Sequence, residues 1–242
     1  MKILALETSA KAVSAAITDG GRVLASGYQD TGLTHSRTLM PIVAHLFQNT
    51  GLTLQDCGAV AVAAGPGSFT GIRIGVSAAK GLAFSGDKPA VGVSTLAAMA
   101  RNVSFAGGLV VCAMDARRNQ IYNALFDAET GLPRRLTPDR AIGLAELAEE
   151  LRGDARPKTV VGDGAGLCAE FLRTHGVPCR LAPAHLVMQC AASVGLEAEA
   201  LAEAGGLVTA QELSPVYLRP PQAALLRDRQ EEPLSHGSTI SR

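Results

Sequence analysis

The 242-residue chain has no tryptophan, only 4% aromatic residues and no net formal charge, with Lys+Arg and Asp+Glu each at 22. Without an excess of cations there is no long-range field drawing it to a phosphate backbone, so any contact with nucleic acid would need another molecule to supply most of the attraction. No stretch approaches the roughly 18 consecutive apolar residues of a membrane span. The apolar run Ile3–Leu6 behind Lys2 is stopped by Glu7, too early for a secretory signal, and the expected compartment is the cytoplasm. The five cysteines (Cys57, Cys112, Cys168, Cys179, Cys190) are scattered, with no Cys-x-x-Cys pair. That pattern argues for reduced thiols rather than a zinc site or a disulfide framework. No two histidines among His35, His45, His175, His185 and His236 have the i, i+4 spacing with which a helix presents a metal-binding pair.

What is present is apolar content of 47% against 18% charged, the balance of a compact globular protein. The chain is organised around Ala59–Ala83. Ala59 to Ala64 is a short apolar run ended by Gly65-Pro66-Gly67, as expected of a buried strand. Ser68 or Thr70 can cap a helix that carries Ile72, Val76, Ala79 and Ala83 on one stripe. This strand–turn–helix fails three templates. It lacks the second glycine and the lysine of a P-loop, its glycines are one residue too far apart for a dinucleotide fingerprint, and Ser68 is not flanked as in a nucleophile elbow. The plain reading of its glycines is a tight turn with close helix–strand approach, and direct phosphate binding is the alternative.

Taken in order, Ile3–Leu6, Val13–Ile17 and Arg22–Ser26 read as three strands, with Asp19-Gly20-Gly21 as a hairpin turn. A helix follows over Thr34–Gln48, either starting near Met40 or kinked at Pro41. The strand–turn–helix comes next, then a strand at Pro89–Gly92 and a helix at Thr95–Asn102. The order then restarts: strands at Leu109–Met114, Ile121–Phe126 and, weakly, Pro133–Leu136; a helix at Leu144–Leu151; a strand at Thr159–Val161; a helix at Ala165–Thr174; a strand at Cys179–Leu181; and a long helix at His185–Glu203. Each half reads strand-strand-strand-helix-strand-helix-strand-helix, displaced by roughly one hundred residues, which marks an internal duplication. The expected fold is α/β: two ribonuclease H-like, actin-like lobes, each a mixed sheet with flanking helices. They would cover 1–105 and 106–219, with 220–242 a loosely held tail of mixed charge, Gly, Pro and Ser.

In such a pair of lobes nucleotide phosphates meet the first hairpin of each half. The candidate residues for a vestigial nucleotide site are Glu7, Thr8, Ser9 and Lys11 in the first hairpin and Asp115 in the second, with Gly162 and Gly164 at a later helix start. An ordinary polar turn and a surface ion-pair cluster explain the same residues without a ligand. No nucleophile–base or metal constellation emerges, so the expectation is no catalytic residue.

Three stretches together resemble the TsaB family: Leu6-Glu7-Thr8-Ser9, His35-Ser-Arg-Thr-Leu-Met-Pro41 and Gly65-Pro-Gly-Ser-Phe-Thr-Gly-Ile-Arg-Ile-Gly75. Lys80-Gly-Leu-Ala83 and Pro215-Val-Tyr-Leu-Arg219 also fit, and the resemblance runs over essentially the whole chain. It implies a bacterial subunit of the machinery that makes threonylcarbamoyladenosine next to the anticodon of tRNAs. That subunit would bind and activate a TsaD-like transferase rather than act alone. TsaD carries a His-x-x-x-His metal pair where this chain has Thr95 and Met99, and a hydroxyl with a thioether does not replace two imidazoles. No metal and no cofactor are therefore expected on this chain, with ATP and a metal ion on partner subunits. The implied partners are the TsaD-like subunit, a TsaE-like ATPase, a second copy of this chain when TsaD is absent, and tRNA through the complex. The implied interface is His35, Leu39, Val43, Phe69, Ile72, Ile74, Ala78 and Ala79. An independent actin-like ATP-dependent kinase, and less readily a peptidase, remain the alternatives.

Overall fold

The computed structural model describes residues 1–117 and 119–219. The proposed 220–242 tail lies outside the described residues. The first half forms β1 (Ile3–Glu7), β2 (Val13–Asp19), β3 (Arg22–Gln29), α1 (His35–Thr50), β4 (Ala59–Gly65), α2 (Phe69–Gly86), β5 (Ala90–Ser94) and α3 (Thr95–Arg101). The second half forms β6 (Leu109–Asp115), β7 (Gln120–Asp127), β8 (Arg134–Arg135), β9 (Arg140–Gly143), α4 (Leu144–Arg152), β10 (Lys158–Val161), α5 (Ala165–Thr174), β11 (Arg180–Leu181) and α6 (Ala191–Glu203).

The first sheet runs β3-β2-β1-β4-β5 and the second β11-β10-β6-β7-β8, with β9 also paired to β7. Renumbered within each half, these are one order, 3-2-1-4-5, antiparallel across the first three strands and parallel across the rest. The duplication expected from the element order is thus present in the pairing itself.

The central strand β4 is apolar at every position because helices cover both faces. In β4 all seven residues are buried. One face of the first sheet packs on α1 and α2 through Leu39, Val43, Leu46, Ile72, Val76 and Ala79. Its other face is covered by α6, which returns from the second half and places Ala191, Val194 and Ala198 against Ile3, Ala5, Ala61 and Val91. The matching helix of the first half, α3, covers the second sheet, with Leu96, Met99 and Ala100 against Val110, Cys112 and Phe126. Each lobe therefore borrows a helix across the other, and the cores of the two are completed together.

Three elements differ from the sequence reading. Helix α1 runs unbroken through Pro41, whose missing N–H leaves only the Arg37 carbonyl without its usual donor. The third strand of the second half is split into β8 and β9, both paired to β7. Helix α6 begins at Ala191 instead of His185, because the backbone before it is committed elsewhere. The Asn102 Nδ2 donates to the Leu186 and Met188 carbonyls, and Gly162 N–H donates to the Val187 carbonyl.

Candidate functional site

The glycines of the Gly65–Gly75 stretch are spent on packing. Ser68 caps α2 by accepting from Gly71 N–H, and the helix then lies directly on the β1–β2 hairpin. Thr8 Oγ1 donates to the Gly71 carbonyl at 2.7 Å. A Cβ at Gly71 would stand 2.1 Å from the Thr8 carbonyl oxygen, and one at Gly75 would stand 2.3 Å from Thr8 Oγ1. No side chain larger than hydrogen fits at that distance. The close-approach reading of these glycines is the one the geometry supports.

The segment after α6 belongs to the same site. Residues 208–213 form a bridge from Val208 to Ala90, bury Leu213 in the first core, and receive Lys80 Nζ on the carbonyls of Gln211 and Leu213. Val216 N–H then donates to the Ala64 carbonyl at 2.7 Å. Arg73 lies over the Phe69 ring at 3.7 Å and donates through Nε to Tyr217 Oη at 3.0 Å, while the two rings approach to 4.9 Å between centroids. Arg219 reaches the other lobe, donating to the Ala116 carbonyl at 2.7 Å. Residues 215–219 are a strap from one lobe to the other.

Beneath the strap is a cleft of about 540 Å³ between the lobes. Of the candidate nucleotide-site residues, Ser9, Lys11 and Asp115 line it, together with Ser68, Thr70, Arg117, Tyr122 and Asp163. Asp115 is held by Arg117, whose N–H donates to Oδ1 at 2.7 Å. Glu7 and Thr8 are buried below the lining, and Thr8 is consumed by Gly71. Gly162 and Gly164 serve as spacers: a Cβ at Gly162 would be 2.2 Å from the Ala113 carbonyl oxygen, and at Gly164 2.7 Å from Asp115 N. The first-hairpin and second-hairpin residues are thus brought to one cleft, while the glycines pack a turn against β6.

Glu7 is the electrostatic outlier. It is 1% exposed, its Oε1 accepts from Ser9 N–H, and its Oε2 has no partner. Burial pushes its carboxyl up to about 7, against the hydrogen bonding from Ser9 and with added repulsion from Asp163. Asp163 is itself raised by burial, though Gln189 Nε2 donates to its Oδ1 at 3.0 Å. Asp163, Gln189, Arg73 and Tyr217 were not singled out individually from the sequence. Arg73 and Tyr217 sit inside stretches that were, but no local pattern announces that residues 73 and 217 stack.

The resemblance-derived interface divides in two. Leu39, Val43, Ile72 and Ala79 lie on the inner stripe of α1 and α2, buried in the core of this chain, and are not surface residues. His35, Phe69, Ile74 and Ala78 are partly exposed, and the solvent faces of the two helices add Met40 at 43% and Phe84 at 76% exposure. His35 Nε2 lies 3.2 Å from the Lys11 carbonyl oxygen, tying α1 to the hairpin. Thr95 and Met99 are buried in the core between the lobes. Among the described residues, no three His, Cys, Asp or Glu side chains converge.

Comparison with known proteins gives the fold a family. The family model of TsaD, tRNA N6-adenosine threonylcarbamoyltransferase, matches residues 29–161, more than half of the chain. The Bacillus subtilis tRNA threonylcarbamoyladenosine biosynthesis protein TsaB is 36% identical over 172 residues, which is 71% of this chain and 75% of that protein. The chain belongs to the TsaB family. The Escherichia coli TsaB is 37% identical over 131 residues, 53% of this chain and 56% of that protein. Among solved structures, a Pseudomonas aeruginosa protein described as similar to peptidase YeaZ superposes with a TM-score of 0.79 at 29% identity, covering 90% of this chain and 99% of that one. Component A of the Acidaminococcus fermentans (R)-2-hydroxyglutaryl-CoA dehydratase shares the fold alone, at a TM-score of 0.50 and 12% identity. TsaB membership and these neighbours make the architecture a two-lobe, actin-like one. Among the described residues no helix is long and apolar enough to cross a membrane.

Proposed function

We propose that this chain is a non-catalytic subunit of tRNA threonylcarbamoyladenosine formation, which docks on a TsaD-like transferase and activates it. The observation that carries the reading is the state of Thr95 and Met99. Both side chains are buried in the core between the lobes, Met99 within contact range of a Cβ at Gly162, where they offer one hydroxyl and one thioether and no imidazole. Family membership supports the pathway, and the packed Thr95–Met99 pair supports a supporting role within it.

In this reading the exposed faces of α1 and α2 form the docking surface, with His35, Met40, Ile74 and Ala78 in it. The same surface would pair two copies when the transferase is absent. ATP and the metal ion belong to the partners, a TsaE-like ATPase completes the assembly, and tRNA is reached through the complex in the cytoplasm. Replacing Ile74 by Asp tests the surface, because burying an uncompensated charge at an interface is costly while the same charge left in water is not. The variant should fold as the parent does and lose co-purification with the transferase. Undiminished co-purification would reject the surface, and transfer to tRNA by the chain alone would reject the non-catalytic role. The lining of the cleft by Ser9, Lys11 and Asp115 favours one second reading, an ATP-dependent kinase, for which calorimetry with ATP and magnesium on the isolated chain should show tight binding and turnover.

A further inference from the structure

The carboxyl of Glu7 ends β1 at the seam between the lobes, with one oxygen that nothing in the structure engages. The amide oxygen of Gln189, 1% exposed, is equally unengaged, while the same amide donates to Asp163, both residues lying in the second half of the chain. A buried carboxylate needs a counter-charge, a set of donors or a proton.

Among the described residues, the groups around Glu7 supply no counter-charge. Asp163, on the turn leading into α5, adds repulsion, and Asp115 lies beyond it at the end of β6. Strand β4 contains no titratable side chain. On β2, Ser14 stands opposite Glu7 in register, and Asp19 at the far end is paired with Met1 N and Lys2. The cations of α2 are engaged elsewhere, Arg73 with Tyr217 and Lys80 with two carbonyls. On α6, Glu197 is paired with Arg101 and Glu199 accepts from Gly21 N–H. Lys11, in the same hairpin, lines the cleft above. The donors on the carboxyl, from Ser9 and the Thr8 backbone, are outweighed by its burial, so a proton is the remaining means of balance.

We propose that ionisation of Glu7 is coupled to opening of the interlobe cleft: the closed arrangement holds this carboxyl neutral, and parting of the lobes lets water reach Oε2. The device is positioned to matter because the strap crosses the same seam. Opening must release Arg219 from the Ala116 carbonyl, which frees the mouth of the cleft. The direction follows from linkage. A carboxyl raised to about 7 when closed and at its ordinary 4.5 when solvated favours the closed state at low pH, and that preference is lost as pH rises from 4.5 to 7. The opening equilibrium then grows by up to about 300-fold over that window, and stays constant above it.

Hydrogen exchange of the full chain at pH 5 and pH 7.5, corrected for intrinsic rates, reads this in the 7–12 hairpin and at 162–166. The wild type should lose protection there between the two pH values. Glu7→Gln, neutral at both, should keep it, and Asp163→Asn, which removes the opposing charge, should move the transition to lower pH. If Glu7→Gln does not fold, the Asp163→Asn shift decides alone. A flat wild-type profile, or the same loss of protection in the folded Glu7→Gln protein, would overturn the proposal. So would closure at pH 7.5 that depends on added magnesium, because a cation would then be the counter-charge.

Discussion

The account of the glycine-rich stretch can be tested within one helix. Gly71 and Gly81 both lie in α2, and both become better helix formers as alanine, by up to about 1 kcal/mol. Their surroundings are opposite. A Cβ at Gly81 meets nothing within 4 Å, whereas one at Gly71 meets the Thr8 backbone oxygen at 2.1 Å. For Gly71→Ala the helix must lift from the hairpin, with overpacking of about 1–3 kcal/mol. Loss of the Thr8 Oγ1 hydrogen bond adds about 1 kcal/mol. The net expectation is about 1–3 kcal/mol of destabilisation for Gly71→Ala, and up to about 1 kcal/mol of stabilisation for Gly81→Ala. In a protein of this size each kcal/mol moves Tm by about 2–4 °C, so urea and thermal unfolding should separate the two variants clearly. Equal, stabilising shifts for both would refute the reasoning, since Gly71 would then be free of the hairpin.

The exchanged helices predict that Val194→Asp, although it lies in the second half of the chain, raises hydrogen exchange in β1 as well as in α6; an effect confined to the second sheet would contradict the shared core. Leu39→Asp should lower Tm severely or abolish folding because it buries a charge, while the surface change Ile74→Asp should stay within about 0.5 kcal/mol of the parent by denaturant unfolding. Arg73→Ala removes the cation over Phe69 and the bond to Tyr217, so limited proteolysis should cut faster around 215–219, and an unchanged rate would show that Val216 and Arg219 hold the strap without it. Glu7→Gln should also shrink the decline of global stability between pH 4.5 and 7, visible as a smaller fall in Tm over that range than in the parent.

Much of this fold was legible because its signals are local. The apolar run Ala59–Ala64 is a central strand for the reason its composition suggests, and Ser68 caps α2 as its position predicts. The repeated element order was enough to infer a duplication, even though Arg134–Arg135 is a two-residue strand. What escaped was long-range. Nothing in Ala191–Glu203 says that it will cover the first sheet instead of the second. Leu39 and Val43 were read as partner-facing, yet the stripe they form is the one α1 must bury against its own lobe; on an amphipathic helix a core stripe and an interface stripe have the same spacing. The cleft was legible as two hairpins, whereas its strap depends on contacts such as Arg73 with Tyr217 across 144 positions.

The central claim is that this chain does no chemistry itself and is needed by a partner that does. Reconstitution measures it most directly: a TsaD-like subunit, a TsaE-like ATPase, the activated threonylcarbamoyl donor and tRNA, assayed for modified adenosine with and without the chain. The account predicts modification only when the chain is present, and none from the chain with donor and tRNA alone. Equal modification in its absence, or modification by the chain by itself, would contradict it.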